Sequence, residues 1–343
     1  MKRFLRISSL LAVAMALAHP AAAADEAIKI GIFRGTSSGG PLFIAKERGY
    51  FAAEGLAPEF ETFDAGEAVA VATVAGAIDF GAAGTSAALY NLAAQGKLRV
   101  ISGMNRDVPG FQAVVLVASG RAYAAGLTGF ANLPGHSVAL TTMGSTFHYV
   151  LGLVEDKFGF DAKSIRVVAA QGLPNVASTV IGGQTDTGIF PTPFAAPLLE
   201  RGEVKLVGYA ADVAPWQVGI LWSTTDTAND KRALVERMLR AFRRGVHDYH
   251  DAFTGAGETR QDGPAAPEIL AIIAKYINQS PAQVARGISY IDGEARIDAR
   301  DVQHQIDWYR AQGMLKGELD AKTLIDARYA PLLSETSRTT TDR

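Results

Sequence analysis

The chain is predicted to be an α/β protein of two lobes built on one plan, followed by a run of helices. Three observations predict this. Residues 76–88, GAIDFGAAGTSAA, are echoed by residues 183–195, GQTDTGIFPTPFA, so Gly-x-x-Asp-x-Gly occurs twice. The landmarks around the copies keep step at roughly 105 to 110 residues: Gly49 with Gly159, Gly66 with Gly172, Gly96 with Gly202, and Phe111-Gln112 with Trp216-Gln217. Strand-like and helix-like runs alternate as far as Thr227, beyond which only helical periodicity continues. A period this long describes whole lobes, and the gap where two such lobes face each other is the expected ligand site.

Taken in order, residues 28–33 alternate as a strand, residues 34–41 form a glycine-rich polar loop, and residues 42–48 begin a helix closed by Gly49. Residues 56–63 make a second strand, and Gly66 opens a helix that ends near Gly76. The repeated motif supplies a helix-closing glycine, a turn, a short strand and a small-residue loop, with a helix to residue 95 and a strand over 98–102. Residues 110–118 are β-rich and suited to leaving the first lobe. The second lobe replays the plan: strand 137–142, loop 144–146, helix 147–157, strand 165–170, helix 175–181, strand 187–190, a helix opened by 191–197 and closed by Gly202, and strand 204–207. Residues 217–222 return to the first lobe. Helices are expected over 230–250, 266–277, from Pro281 and over 299–312, packed on the first lobe for want of a sheet of their own.

The chain has 343 residues, 48% hydrophobic and 20% charged, with a net charge of -2, so it can bury full cores and carries no global basic field for nucleic acid. Lys2, Arg3 and Arg6, the apolar run 7–18 and Ala22-Ala23-Ala24 make residues 1–24 an expected cleaved export signal. Cysteine is absent, which removes disulfides, thiol chemistry and a lipid-modified N-terminal cysteine. A free periplasmic protein is expected.

Four loops fall at strand ends and helix starts: 34–40, 83–86, 143–146 and 191–193. A helix start carries unpaired amides and a partial positive charge, so it attracts oxyanions. The candidate ligand residues are Ser37, Ser38, Gly66, Thr85, Ser86, Gly144, Ser145 and Thr146, although any one hydroxyl there also suits a plain N-cap. Phe190 and Trp216 are candidate walls, and so is Phe111; each is equally at home in a core. Asn175 orients ligand or caps its helix. Arg34 and Arg106 are candidate clamps for a carboxylate or sulfonate, and His148 a candidate donor. His247 and His250 lie on a charged, arginine-rich helix face, and no metal site or cofactor is expected. No motif sets a nucleophile beside a base.

The runs GIFRGTSSGGPLFIAKERGYFAAEGL, GAIDFGAAGTSAALYNLAAQG, VALTTMGSTFHYVLGLVEDKFG and QIDWYRAQGML together resemble substrate-binding proteins of ABC importers, of the nitrate/sulfonate/taurine type related to thiamine-precursor binders. The resemblance covers about residues 27–332. It implies a type II periplasmic-binding fold: lobe one from 25–115 plus 222–333, lobe two from 116–221, and a tail over 334–343. It further implies a monomer that closes by hinge on one small anion, a sulfonate or carboxylate, and docks on an inner-membrane permease. Family contacts carried over fall on Ser37, Ser38, Thr85, Ser86, Gly144, Ser145, Thr146 and Asn175. The loop Arg34-Gly-Thr-Ser-Ser-Gly-Gly matches no subgroup, which leaves the ligand open. Two alternatives remain at this point: an enzyme on the same fold, and a sensor or scavenger that serves no permease.

Overall fold

Thirteen strands form three sheets in the computed structural model, which describes residues 25–334. The expected export signal, and the expected tail apart from Ser334, lie outside the described residues. The strands β1 (Glu26–Phe33), β2 (Leu56–Phe63), β3 (Phe80–Gly84) and β4 (Leu98–Gly103) begin the first lobe, and β5 (Asn105–Asp107) leads out of it. Then follow β6 (Val114–Ala118), β7 (Ser137–Leu140), β8 (Arg166–Ala169), β9 (Thr187–Pro191) and β10 (Lys205–Tyr209). The chain returns through β11 (Trp216–Gln217) and β12 (Gly219–Thr224), and a late β13 (Tyr290–Ile291) completes the set.

The first sheet has the order β2-β1-β3-β12-β4, and the second, read from its far edge, β8-β7-β9-β6-β10. The two orders superpose element by element. In each, three strands run parallel and the fourth enters antiparallel from the other half of the chain, β12 into the first sheet and β6 into the second. This is the duplicated plan that the sequence period implies.

The repeated motif has an architectural role. Asp79 Oδ2 accepts from the Lys29 amide at 2.8 Å, and Asp186 Oδ2 accepts from the Ser137 amide at 2.9 Å, so each carboxylate pins the first strand of its own lobe. The motif's second glycine is needed for close packing: a Cβ on Gly81 would enter the Trp222 ring, and one on Gly188 would lie 2.9 Å from Phe190 and Val180.

The late helices divide their contacts. Arg232–Phe253 and Ala266–Ile277 pack on Gly40–Glu47 of the first lobe, as expected. Pro281–Arg286 reaches Thr192–Glu200 of the second, and Ala299–Ala311 lies between Ala87–Ala94 and Thr146–Phe158, touching both lobes. One expectation is corrected here: the C-terminal part does contribute a strand, because β13 pairs with β5 in a small sheet, β11-β5-β13, at the crossing between lobes. Two residues are too few for any periodicity to announce them.

Candidate ligand-binding cleft

The strand ends and the helix starts that follow them converge on one cavity. Phe33 and Gly84 line it from the ends of β1 and β3, Pro191 from the end of β9, and Thr141 from just beyond β7. Gly66 and Glu67 open the helix Gly66–Val74, and Ser145, Thr146 and Phe147 open Thr146–Phe158. Asn105, Ala113, Val114 and Val218 line it from the crossing segments and the start of β6. The space between its walls, including its open mouth, is about 520 Å³, and most of it is too narrow for a water. The lobes touch across it and stand closed.

Closure is held by direct contacts across the gap. Thr146 Oγ1 donates to the Thr85 carbonyl at 2.7 Å, and the Ala87 amide donates to the Gly144 carbonyl at 2.9 Å. Tyr309 OH donates to the Ser145 carbonyl at 2.7 Å. The Phe33 and Phe147 rings meet with centroids 6.1 Å apart. Gly84 makes the approach possible, since a Cβ there would overlap the Thr146 hydroxyl and lie 2.8 Å from its Cγ2.

Of the residues expected to bind, Ser38, Gly66, Ser145 and Thr146 line this cavity. The others are placed elsewhere, each for a visible reason. Ser37 is buried and donates to the Gly287 carbonyl at 2.6 Å. Thr85 is fully buried and donates to Gln305 Oε1 at 2.5 Å, while Ser86 caps its helix by accepting from the Leu89 amide. Gly144, in the left-handed region at φ 75, serves the contact between lobes. Asn175 is exposed on the helix Leu173–Ile181. Phe190 is buried and stacks on Phe194; Trp216 is buried against Tyr149, and Phe111 against Tyr290. Arg34 is exposed and paired with Asp64 at 2.7 Å. Arg106 is buried at the crossing, with Nη2 3.4 Å from Asp298. His148 accepts the Gly144 amide at Nδ1, 3.0 Å away, and burial pushes its imidazole down to about 4, so it is neutral at pH 7.

Beneath the cavity the crossing segments are tied by a buried polar network. Gln305 Nε2 donates to the Gln217 carbonyl and to Asp301 Oδ2, each at 2.7 Å, and the Gln217 amide also donates to Asp301 Oδ2 at 2.7 Å. Several expected binders are therefore members of a scaffold that joins both lobes to the helix Ala299–Ala311.

Sequence reasoning passes over Glu67 and Asn105. Glu67 is the one ionisable residue lining the cavity among the described residues. Its signal is modest: a lone acid in the first turn of the otherwise apolar GEAVAVATV. Burial raises its carboxyl above the ordinary range, while the Thr142 hydroxyl from the other lobe and its own backbone amide pull it back. Neither carboxyl oxygen reaches hydrogen-bond geometry with any described group, and Thr142 Oγ1 likewise falls short of it.

Two α/β lobes of matched strand order, joined by paired crossing strands and closed over a cavity at their strand ends, define the type II periplasmic-binding architecture. The chain belongs to the NMT1/THI5-like family, whose model matches residues 37–252. The fold is similar to the ligand-binding component of an ABC-type import system from Staphylococcus aureus, with 11% identity over 89% of this chain and 97% of that one and a TM-score of 0.70. It is similar to the alkanesulfonate-binding protein SsuA from Xanthomonas axonopodis pv. citri bound to MOPS, with 20% identity over 89% and 99% and a TM-score of 0.68. It is also similar to the periplasmic nitrate-binding protein NrtA from Synechocystis, with 14% identity over 86% and 84% and a TM-score of 0.67. No curated protein matches the sequence.

Proposed function

We propose that this chain is the substrate-binding subunit of an ABC importer, exported to the periplasm, cleaved after Ala24 and monomeric. It captures a small organic anion, a sulfonate or carboxylate, between its lobes and delivers it to a membrane permease. The observation that carries this reading is a single cavity walled by both lobes, at which helix starts from both sides present backbone amides and hydroxyls. The fold neighbours named for ABC import, alkanesulfonate and nitrate support it. Ligand stabilises the closed form because only there do donors from both lobes reach it at once. The hinge runs through β5 and β11 and the segments beside them, which join 25–115 plus 222–333 to 116–221. No chemical step is required for capture and delivery.

Calorimetric titration of the mature chain with sulfonates, carboxylates and nitrate should give one-site binding, with a smaller radius of gyration in the bound form. A folded protein silent to every member of the panel would overturn the reading.

A further inference from the structure

One side chain behind the cleft uses every hydrogen-bonding position it has. Gln305 is fully buried on the helix Ala299–Ala311. Its Oε1 accepts from the Thr85 hydroxyl at 2.5 Å and from Tyr90 OH at 3.0 Å, and its Nε2 donates to the Gln217 carbonyl and to Asp301 Oδ2, each at 2.7 Å. The amide has one orientation, because turning it over would set its oxygen against a carbonyl and a carboxylate. It thereby ties the cleft loop at Thr85 and the helix Ala87–Ala94 to the crossing strand β11. Thr85 in turn presents its carbonyl to Thr146 Oγ1 of the second lobe, and Tyr309, one turn beyond Gln305, donates to the Ser145 carbonyl. Asp301, Gln305 and Tyr309 are spaced by four residues, so one helix face meets the crossing strand, the first lobe and the second lobe in turn.

We infer that Gln305 is a positioning residue for ligand capture: it fixes the cleft loop at Thr85 in register with the crossing strand, so that the lobes close in one geometry. This rests on the substrate-binding reading above. Gln305 does not line the cavity, and its influence reaches a ligand through Thr85 and the cavity-lining Thr146.

Two variants of matched size test it. Gln305→Glu keeps the acceptor but sets a second carboxylate against Asp301, a repulsion that one shared proton removes. Gln305→Met makes no such bond at any pH. Calorimetric titration with alkanesulfonates, carboxylates and nitrate compares each variant with the parent at about pH 9 and about pH 5.5. At the higher pH the Glu variant should bind about tenfold or more weakly than the parent, with a larger radius of gyration at saturating ligand. On acidification that gap should narrow severalfold for Glu and persist for Met. The other charged or titratable groups around the amide, Asp298, Arg106, Tyr90, Tyr149, Tyr309 and His304, are common to all three proteins, so they cancel in the ratios. Thr85→Val and Thr85→Ser probe the same contact without a buried charge: Val should weaken binding severalfold, while Ser, which keeps the hydroxyl, stays near the parent. Parent-like affinity at high pH in a folded Gln305→Glu, a gap that acid does not narrow, or parent-like binding by Thr85→Val overturns the inference and leaves the transport reading standing. Silence of the folded parent to the whole panel removes both.

Discussion

At the end of the third parallel strand, the first lobe places Gly84 and the second places Pro191, and both line the cavity. One residue further on, Thr85 is committed to Gln305, whereas the Thr192 hydroxyl has no partner among the described residues. At the start of the preceding helix the first lobe carries Glu67; the second has buried Leu173 in the corresponding place. Away from the cleft the halves agree closely: the sheet orders match, and Asp79 and Asp186 hold the same kind of strand amide. The two halves therefore share what each sheet needs to fold, while the surfaces that face each other across the cleft differ.

The largest effect should come from breaking the asymmetric surface. Gly84→Ala places a methyl inside contact distance of Thr146, whose hydroxyl is tied to the Thr85 carbonyl, so the lobes cannot close fully. Ligand affinity should fall by about a hundredfold, with a thermal midpoint close to the parent's. Calorimetry and scattering with ligand present would show it, and parent-like closure would refute the contact.

A smaller effect tests the shared frame. Asp186 holds the Ser137 amide and the Ser137 hydroxyl and lies 3.6 Å from His136, whereas Asp79 holds only the Lys29 amide among the hydrogen bonds described. Asp186→Ala should cost about 2 kcal/mol and Asp79→Ala about 1 kcal/mol by urea denaturation. Burial pushes Asp186 up, but the hydrogen bonds from Ser137 and the charge of His136 outweigh it and hold the carboxyl below the ordinary aspartate value. Its contribution is therefore present above the unfolded pKa and disappears as the pH falls through the lower folded one. An equal loss in the two variants would show that the extra contacts of the second lobe carry no weight.

The smallest effect concerns His148. Burial pushes its folded pKa down to about 4, below the ordinary histidine value of 6.5, so the folded state resists protonation and stability declines as the pH drops below 6.5. The decline should be about 1 kcal/mol between roughly pH 7 and 5.5. Asp107 and Asp301, pushed up by burial to about 8 and about 6, act in the opposite sense across this range. The readout is thus the difference between the parent and His148→Gln, whose melting point should fall less on acidification. Parallel profiles would show that His148 titrates like a free imidazole.

Much of the frame could be read from the residues. β2 and the helix Ala266–Ile277 occupy the predicted spans, and most other elements differ only at their ends. The helix-closing glycines at 49, 76, 96, 159, 183 and 202 all have positive φ, a backbone demand that local sequence expresses directly. The lining of the candidate cavity was legible in part. Ser38, Gly66, Ser145 and Thr146 were reached from helix-start chemistry alone, but the same chemistry also selected Ser37, Thr85 and Ser86, whose hydroxyls are committed inside the protein.

By itself the sequence determined two α/β halves on one plan, the loops at their strand ends and the helices that follow, because glycine positions and apolar periodicity act within a few residues of one another. Only the tertiary structure decided which hydroxyls face the gap, that Trp216, Phe111 and Arg106 are buried at the crossing, and that Glu67 stands inside the cavity without a hydrogen-bond partner. Those outcomes depend on partners such as Gln305 and Gly287, more than two hundred residues away along the chain from Thr85 and Ser37. Only folding brings such groups within hydrogen-bond reach, so no local pattern encodes whether a donor is already taken.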